Sequence, residues 1–141
     1  MLVYSMDSAA GVRCQLARQI VDRAVDTDCW LTLQTLSEFY WATRRKGAIP
    51  RADAAAQVED WLSLFLCIPA SPTAIRRALA DSLAGRASYW DALLVATAAE
   101  AGCNLVLTED MADGTFLGGV QIHNPFAGQG LTNLTRQLLD L

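Results

Sequence analysis

Three acidic residues lie beside short apolar segments that have the composition of β-strands. Glu38 follows the segment 29–33, Asp110 follows the segment 104–108, and Asp91 opens the helix that leads into the second segment. Ligands of open parallel sheets bind outside the carboxyl ends of the strands. We therefore expect these three carboxylates to converge at one edge of a sheet.

Converging carboxylates repel one another, and a bound cation offsets that repulsion. Mg²⁺ or Mn²⁺ is the expected ion, because both prefer oxygen ligands and the sequence has no closely spaced Cys or His pairs for zinc. Such an ion activates a water and stabilises charge on a phosphodiester under attack. The acids therefore indicate metal-assisted phosphodiester hydrolysis, with Asp113 as the alternative to Asp110 in the same loop.

Each acid also has a purely structural interpretation. The segments Thr35-Leu-Ser-Glu38 and Ser88-Tyr-Trp-Asp91 both have the form of a capping box, in which the acid serves only a helix N-terminus. Glu109, Asp110 and Asp113 could be ordinary loop acids. The residues alone leave both interpretations open.

Composition predicts a single ordered domain spanning residues 1–141. No apolar run is long enough to span a bilayer, and the first residues do not have the pattern of a signal peptide. The cysteines lie apart in sequence among apolar neighbours, as buried thiols do: Cys14, Cys29, Cys67 and Cys103. We therefore predict a cytoplasmic protein without a membrane segment, in a reducing compartment.

The charge pattern argues mildly against a free-standing nucleic-acid binder. The formal net charge is −4, whereas such proteins usually carry a basic footprint. Two basic clusters, at 44–51 and 76–77, are interpreted as solvated helix ends. The only histidine, His123, is expected to be structural, because nothing near it in sequence would orient it.

The order of predicted elements indicates the fold class. Apolar periodicity, capping signals and β-prone runs predict helices at 10–25, 36–45, 52–65, 72–85, 89–101 and 131–141, and strands at 29–33, 66–68, 104–108 and 120–123. Gly47 and Gly102 are expected to end helices, and 109–119 is expected to be loop. This alternation predicts an α/β fold with a mostly parallel sheet covered by helices.

Taken together, these segments resemble the PIN-domain family, in particular the VapC-type toxins of bacterial toxin–antitoxin pairs. The strongest match runs from Tyr89-Trp-Asp91 through the helix to Leu105-Val-Leu-Thr108-Glu-Asp110. Weaker matches are Thr35-Leu-Ser-Glu38-Phe and the closing segment Val120-Gln-Ile-His-Asn-Pro-Phe126. The resemblance spans nearly the whole chain.

The resemblance implies a three-layer α/β/α nuclease of single-stranded RNA that depends on Mg²⁺ or Mn²⁺. It implies that Glu38, Asp91 and Asp110 hold the metal or position water, and that Thr108 supports the site from a strand end. It also implies homodimers and an antitoxin protein whose peptide lies over the active groove.

One departure from the family concerns the start of the chain. The family opens with a strand ending in Asp-Thr-Asn, but this sequence begins at Met1-Leu-Val-Tyr4, as if just after that motif. Either the start codon is assigned to an internal methionine, or the chain is a truncated, inactive copy. We favour the first, because losing a central strand would leave two strand edges unpaired.

Three functions are therefore carried forward. The leading one is a metal-dependent endoribonuclease toxin. The second is a catalytically inactive PIN-fold interaction module. The third is a small α/β domain of unrelated role in which the acids only cap helices.

Overall fold

The computed structural model describes residues 1–46 and 49–141. The helices in these residues are α1 Leu2–Met6, α2 Val12–Ala24, α3 Leu33–Lys46, α4 Arg51–Leu64, α5 Pro72–Leu83, α6 Tyr89–Glu100 and α7 Asn133–Leu138, with a 3₁₀ turn at Ser8–Ala10. The strands are β1 Trp30–Thr32, β2 Leu66–Ile68, β3 Leu105–Leu107, β4 Phe116–Leu117, β5 Val120–His123, β6 Phe126–Ala127 and β7 Gly130–Leu131. Gly47, predicted to end α3, lies outside the described residues.

The predicted helices and strands are confirmed, with local differences. The α3 helix begins at Leu33 rather than near residue 36. The first strand was predicted to be buried, but only its last residue, Thr32, is buried, whereas Leu31 is half-buried and Trp30 is 36% exposed. The segment 109–119 is not loop throughout, because β4 lies within it, and β5 is not the last strand, because the β6–β7 hairpin follows.

Mixed helices and short strands confirm the α/β class. The predicted parallel pairing is present between β3 and β5, in the register Leu105↔Gln121 to Leu107↔His123. The β4 strand pairs antiparallel with β5, and β6 pairs antiparallel with β7. The reason for the β4–β5 hairpin is local: Gly118 and Gly119 both have positive φ, at 58° and 85°, as a two-residue hairpin turn requires.

Internal contacts divide the described chain into two compact units. The first contains residues 1–31, 35–67 and 125–141, and the second contains residues 32–34 and 68–124. In the first unit, α2 buries Ala17 and Ile20, and Phe39 meets Trp61 edge to face with ring centroids 4.7 Å apart. Each unit therefore has an apolar core of its own.

The second unit is built on close packing between α5 and α6. Both helices present alanines that are fully or almost fully buried: Ala74, Ala78, Ala92, Ala96 and Ala98. Small side chains let the helix backbones approach closely, and α6 also packs on β5, where Ile122 is fully buried. This packing holds the N-terminus of α6 in a defined place beside the strands.

The ends of α6 follow the signals in the sequence. Ser88 is the N-cap residue, and its side chain accepts a hydrogen bond from the Asp91 N–H. Gly102 lies just past the helix with φ +88°, which satisfies the prediction of a left-handed residue there. The position of Asp91 in the first turn is therefore determined by local capping.

Candidate active site

Asp91 is held by the cap of α6. The Asp91 backbone N–H donates to Ser88 Oγ at 3.1 Å, and the Ser88 hydroxyl donates to Asp91 Oδ2 at 2.6 Å. The capping interpretation of this segment is thus confirmed, although the carboxylate bonds to the serine hydroxyl rather than to its backbone N–H. The cap orients the Asp91 carboxylate and engages one of its oxygens.

Asp110 is positioned by the end of β3. Thr108 is 8% exposed, and its N–H donates to the His123 carbonyl at 3.0 Å, which continues the pairing of β3 with β5. Its Oγ1 accepts from the Asp110 N–H at 3.2 Å, so the chain turns tightly after the strand. Asp110 is exposed at this turn.

Asp91 and Asp110 line one cleft of about 370 Å³ in the second unit. They arrive from different elements, the first turn of α6 and the loop after β3. The other lining residues are Arg86, Ala87, Met111, Ala112, Thr115, Phe116 and Leu117. Arg86 is the cation of this set, and its Nε lies 2.7 Å from Asp81 Oδ1. The cleft thus combines two carboxylates, a guanidinium and an aromatic ring.

Asp113, the alternative to Asp110, has a different role in the structure. Its Oδ1 accepts from the Asn124 N–H at 2.7 Å and lies 3.0 Å from His123 Nδ1. The Asn124 N–H bond, followed by the charge and hydrogen bond of His123, lowers the pKa of the Asp113 carboxyl. Because an ionised carboxylate accepts, His123 Nδ1 is assigned as the donor. Asp110, not Asp113, is the acid of this loop that lines the cleft.

The pairing of Asp113 with His123 corrects one expectation. The sequence showed no neighbour that would orient His123, but the fold brings Asp113 to it across ten residues. The His123 side chain is 8% exposed, so a structural role in holding loop 109–115 against β5 fits its place. That hydrogen bond joins the loop to a buried strand.

Glu38 belongs to the first unit, where it lies exposed on α3. The interpretation of Thr35–Glu38 as a capping box is wrong, because α3 begins at Leu33 and Thr35 is therefore inside the helix. The convergence of Glu38 with Asp91 and Asp110 stays a prediction.

The carboxylates of the cleft limit which metal ion it can hold. In residues 1–46 and 49–141, no group of three or more His, Cys, Asp or Glu side chains that could hold a metal ion is present. Mg²⁺, however, commonly uses one or two carboxylates and completes its shell with waters and substrate phosphates. The donor set of Asp91 and Asp110 therefore fits Mg²⁺ or Mn²⁺ when an anionic substrate contributes oxygens.

Sequence reasoning missed two residues of the cleft, Arg86 and Phe116. Arg86 stands alone between two helices, and Phe116 was placed in a loop, so neither belonged to a motif. The capping of α6 and the hairpin turn at Gly118-Gly119 are the signals that could have drawn attention to their neighbourhoods. Their presence beside Asp91 and Asp110 depends on the fold.

The elements and the cleft define a small α/β domain with one acid just after a short strand, β3, and another in the first turn of α6. Comparison with known families agrees: the family model described as PIN domain matches residues 10–112. The chain belongs to the PIN domain family, whose members are generally nucleases. No curated protein matches the chain.

Two further observations concern membrane-spanning helices and the state of the cysteines. Within the described part of the chain, no helix combines the length and hydrophobicity needed to cross a membrane. The four cysteines form no disulfide there, and only Cys14 is buried, whereas Cys29, Cys67 and Cys103 are half-buried. The expectation that all four are buried is therefore wrong.

Proposed function

We propose that this chain is a divalent-metal-dependent endoribonuclease that cleaves single-stranded RNA. The observation that carries the proposal is the meeting of Asp91 and Asp110 in one cleft beside Arg86. Membership of a nuclease family supports hydrolysis of a nucleic acid, and the oxygen donors support Mg²⁺ or Mn²⁺ rather than zinc.

Each residue has a definable task in this proposal. Asp91 and Asp110 hold the cation, which when bound activates a water and offsets charge on the phosphodiester. Arg86 binds a phosphate oxygen, because its planar guanidinium matches phosphate geometry. Thr108 is a positioning residue, since its Oγ1 bonds the Asp110 N–H. Glu38 is proposed as the third acid.

The test is cleavage of a single-stranded RNA by the purified chain with Mg²⁺, with Mn²⁺ and with a chelator. We expect cleavage only with metal, and its loss in Asp91→Asn, Asp110→Asn and Glu38→Gln. Glu59→Gln is the matched control, because Glu59 is an exposed acid on α4 outside the cleft. This control should cleave as the unsubstituted chain does.

The outcomes separate the proposal from its alternative. Undiminished cleavage by Asp91→Asn would remove Asp91 from the metal site and leave it only the capping role seen with Ser88. Absence of cleavage by every variant, including the unsubstituted folded chain, would favour the catalytically inactive interaction module. The capped Asp91 favours that second candidate, because the hydrogen bond accounts for the carboxylate without a metal.

The finer assignment is that the chain is a cytoplasmic toxin of a toxin–antitoxin pair. In this assignment it acts as a homodimer, and an antitoxin protein covers the cleft. Induced expression in a bacterial host tests the toxin role: the unsubstituted chain should arrest growth, whereas Asp91→Asn at equal abundance should not. Equal growth of both strains, with RNA cleavage present in vitro, would leave the nuclease but exclude the toxin in that host.

A further inference from the structure

The cleft carries an exposed aromatic ring that the nuclease proposal leaves without a task. Phe116 is 68% exposed and lines the cleft that also contains Asp91 and Asp110. Single exposed apolar side chains are common on protein surfaces and by themselves indicate nothing. Phe116 differs because of its location: other exposed aromatic residues, Trp41 and Trp90, do not line this cleft.

Strand pairing fixes the backbone from which the Phe116 side chain extends. Phe116 pairs with Gln121 and Leu117 pairs with Val120 in the β4–β5 hairpin. Side chains alternate along a strand, so the buried Leu117 anchors β4 in the core while Phe116 is turned to solvent. The ring is thus presented by a paired strand rather than by a free loop.

We propose that Phe116 is a stacking platform for a base of single-stranded RNA bound in this cleft. The inference rests on the proposed nuclease function and names how that site recognises its substrate. An aromatic ring and the Arg86 guanidinium line the same cleft, so the ring offers stacking for a base and the arginine a cation for a phosphate. Sequence-tolerant binding of single strands uses this combination.

Stacking on Phe116 also predicts which form of RNA is bound. A base can lie on the ring only when its face is accessible, and in a duplex both faces are covered by neighbouring base pairs. The cleft should therefore prefer single strands, and among them purine-rich ones, because larger bases stack over more area. Duplex RNA should gain nothing from Phe116.

The test measures binding of end-labelled octamers by fluorescence anisotropy, in an Asp91→Asn background so that the RNA stays intact. The probes are oligoadenylate, the same octamer in a duplex, and an octamer of abasic ribose-phosphate units. We expect Phe116→Ala and Phe116→Leu to weaken oligoadenylate binding about tenfold, and Phe116→Trp to retain it. Binding of the abasic octamer and the duplex should not change.

Two features make this test specific for stacking. Phe116→Leu keeps a large apolar side chain but has no aromatic face, so a merely hydrophobic or structural role would tolerate it. Trp41→Ala is the matched control, because Trp41 is an exposed aromatic residue on α3 that does not line the cleft. Binding by this control should equal that of the background protein.

Several results would overturn the stacking role. The first is that Phe116→Leu binds oligoadenylate as tightly as the Asp91→Asn background does. The second is that Phe116→Ala weakens binding of the abasic octamer as much as binding of oligoadenylate. The third is that the background protein does not bind oligoadenylate. Failure of the nuclease proposal gives a different pattern, in which the chain does not cleave RNA but its binding still depends on Phe116. If cleavage depends on Asp91 and Asp110 but binding ignores Phe116, the nuclease stands and the stacking role falls.

Discussion

At the scale of single residues, Asp91 has a structural and a proposed chemical role at once. Its carboxylate accepts the Ser88 hydroxyl at 2.6 Å at the start of α6, where the helix dipole favours a negative charge. The same side chain lines the cleft with Asp110. The two roles can be separated, because the cap depends on hydrogen bonding whereas metal binding depends on charge.

Replacing Asp91 by Asn should remove cleavage while changing the free energy of unfolding by less than about 1 kcal/mol. The amide oxygen can still accept from Ser88, so only the charge is lost. Ser88→Ala is the complementary change: it should cost about 1 kcal/mol, as lost N-caps do, and retain most of the cleavage. Chemical denaturation and RNA cleavage of both variants measure the difference. If Asp91→Asn were strongly destabilised but still cleaved RNA, Asp91 would have only the capping role and not the role in metal binding.

Asp113 provides a second prediction at this scale, concerning pH. The Asn124 N–H bond and His123 lower the pKa of Asp113 below its ordinary value of 3.8. A lowered pKa in the folded state stabilises the protein above the unfolded value, and this contribution is lost as the pH falls through the folded value. Asp113→Asn should therefore be less stable than the unsubstituted chain near neutral pH, and the two should converge below about pH 4.

Thermal melting of both proteins across this range measures the effect. Asp60→Asn, at an exposed acid of α4, is the control for general charge effects. If the difference in melting temperature between the two proteins stayed constant as the pH fell below about 4, the charge of Asp113 would not contribute to stability. We expect Asp113→Asn to cleave RNA as the unsubstituted chain does, because Asp113 does not line the cleft.

At the scale of elements, the end of β3 positions an acid of the cleft through Thr108, which does not itself line the cleft. Thr108 is buried and its Oγ1 accepts from the Asp110 N–H. Thr108→Val keeps the shape and the β-branch but removes this acceptor. We expect a loss of about 1 kcal/mol in stability from the missing hydrogen bond, and a fall in kcat larger than any change in KM.

Thr108→Ser restores the hydroxyl and should recover most of the kcat, which a role in packing alone would not predict. Measurement of kcat and KM for the three proteins on one RNA provides the test. If the valine and serine variants lose the same activity, the methyl group of Thr108 matters and the hydrogen bond to Asp110 does not.

At the scale of the whole molecule, the net charge of −4 limits how RNA can be bound. Arg86 is the cation among the residues that line the cleft, and it is already paired with Asp81. Each phosphate neutralised on a single strand contributes about −0.7 to the slope of log affinity against log salt concentration. We therefore expect a shallow slope, about −0.7 to −1.4, which corresponds to one or two phosphate contacts.

Anisotropy titrations of single-stranded octamers at several salt concentrations measure this slope, and Arg86→Gln should reduce its magnitude by about 0.7. A slope of about −3 or steeper would require at least four phosphate contacts, and the exposed arginines near 44–51 and 76–77 would then have to bind RNA. The interpretation of 76–77 as a solvated helix end is wrong, because both arginines lie inside α5. The interpretation of 44–51 as solvated helix ends would be wrong in that case as well.

The amino-acid sequence by itself determined the features that depend on near neighbours. The Ser88 cap and the left-handed Gly102 are set by residues within about one helical turn, and both are found where they were predicted. Local signals were not sufficient for α3, which begins at Leu33 rather than at a Thr35 cap. The motif from Asp91 to Asp110 was sufficient to indicate the PIN domain family, which the match over residues 10–112 shows.

Only the tertiary structure decided which side chains meet. Asp110 lines the cleft and Asp113 turns to His123, although both acids lie in one loop and look alike in sequence. Arg86 and Phe116 join the cleft from elements that carry no shared motif. The physical reason is that such contacts depend on the path of the chain between distant residues. The packing of α5 on α6 and the β4–β5 hairpin determine that path, and no local sequence pattern contains it.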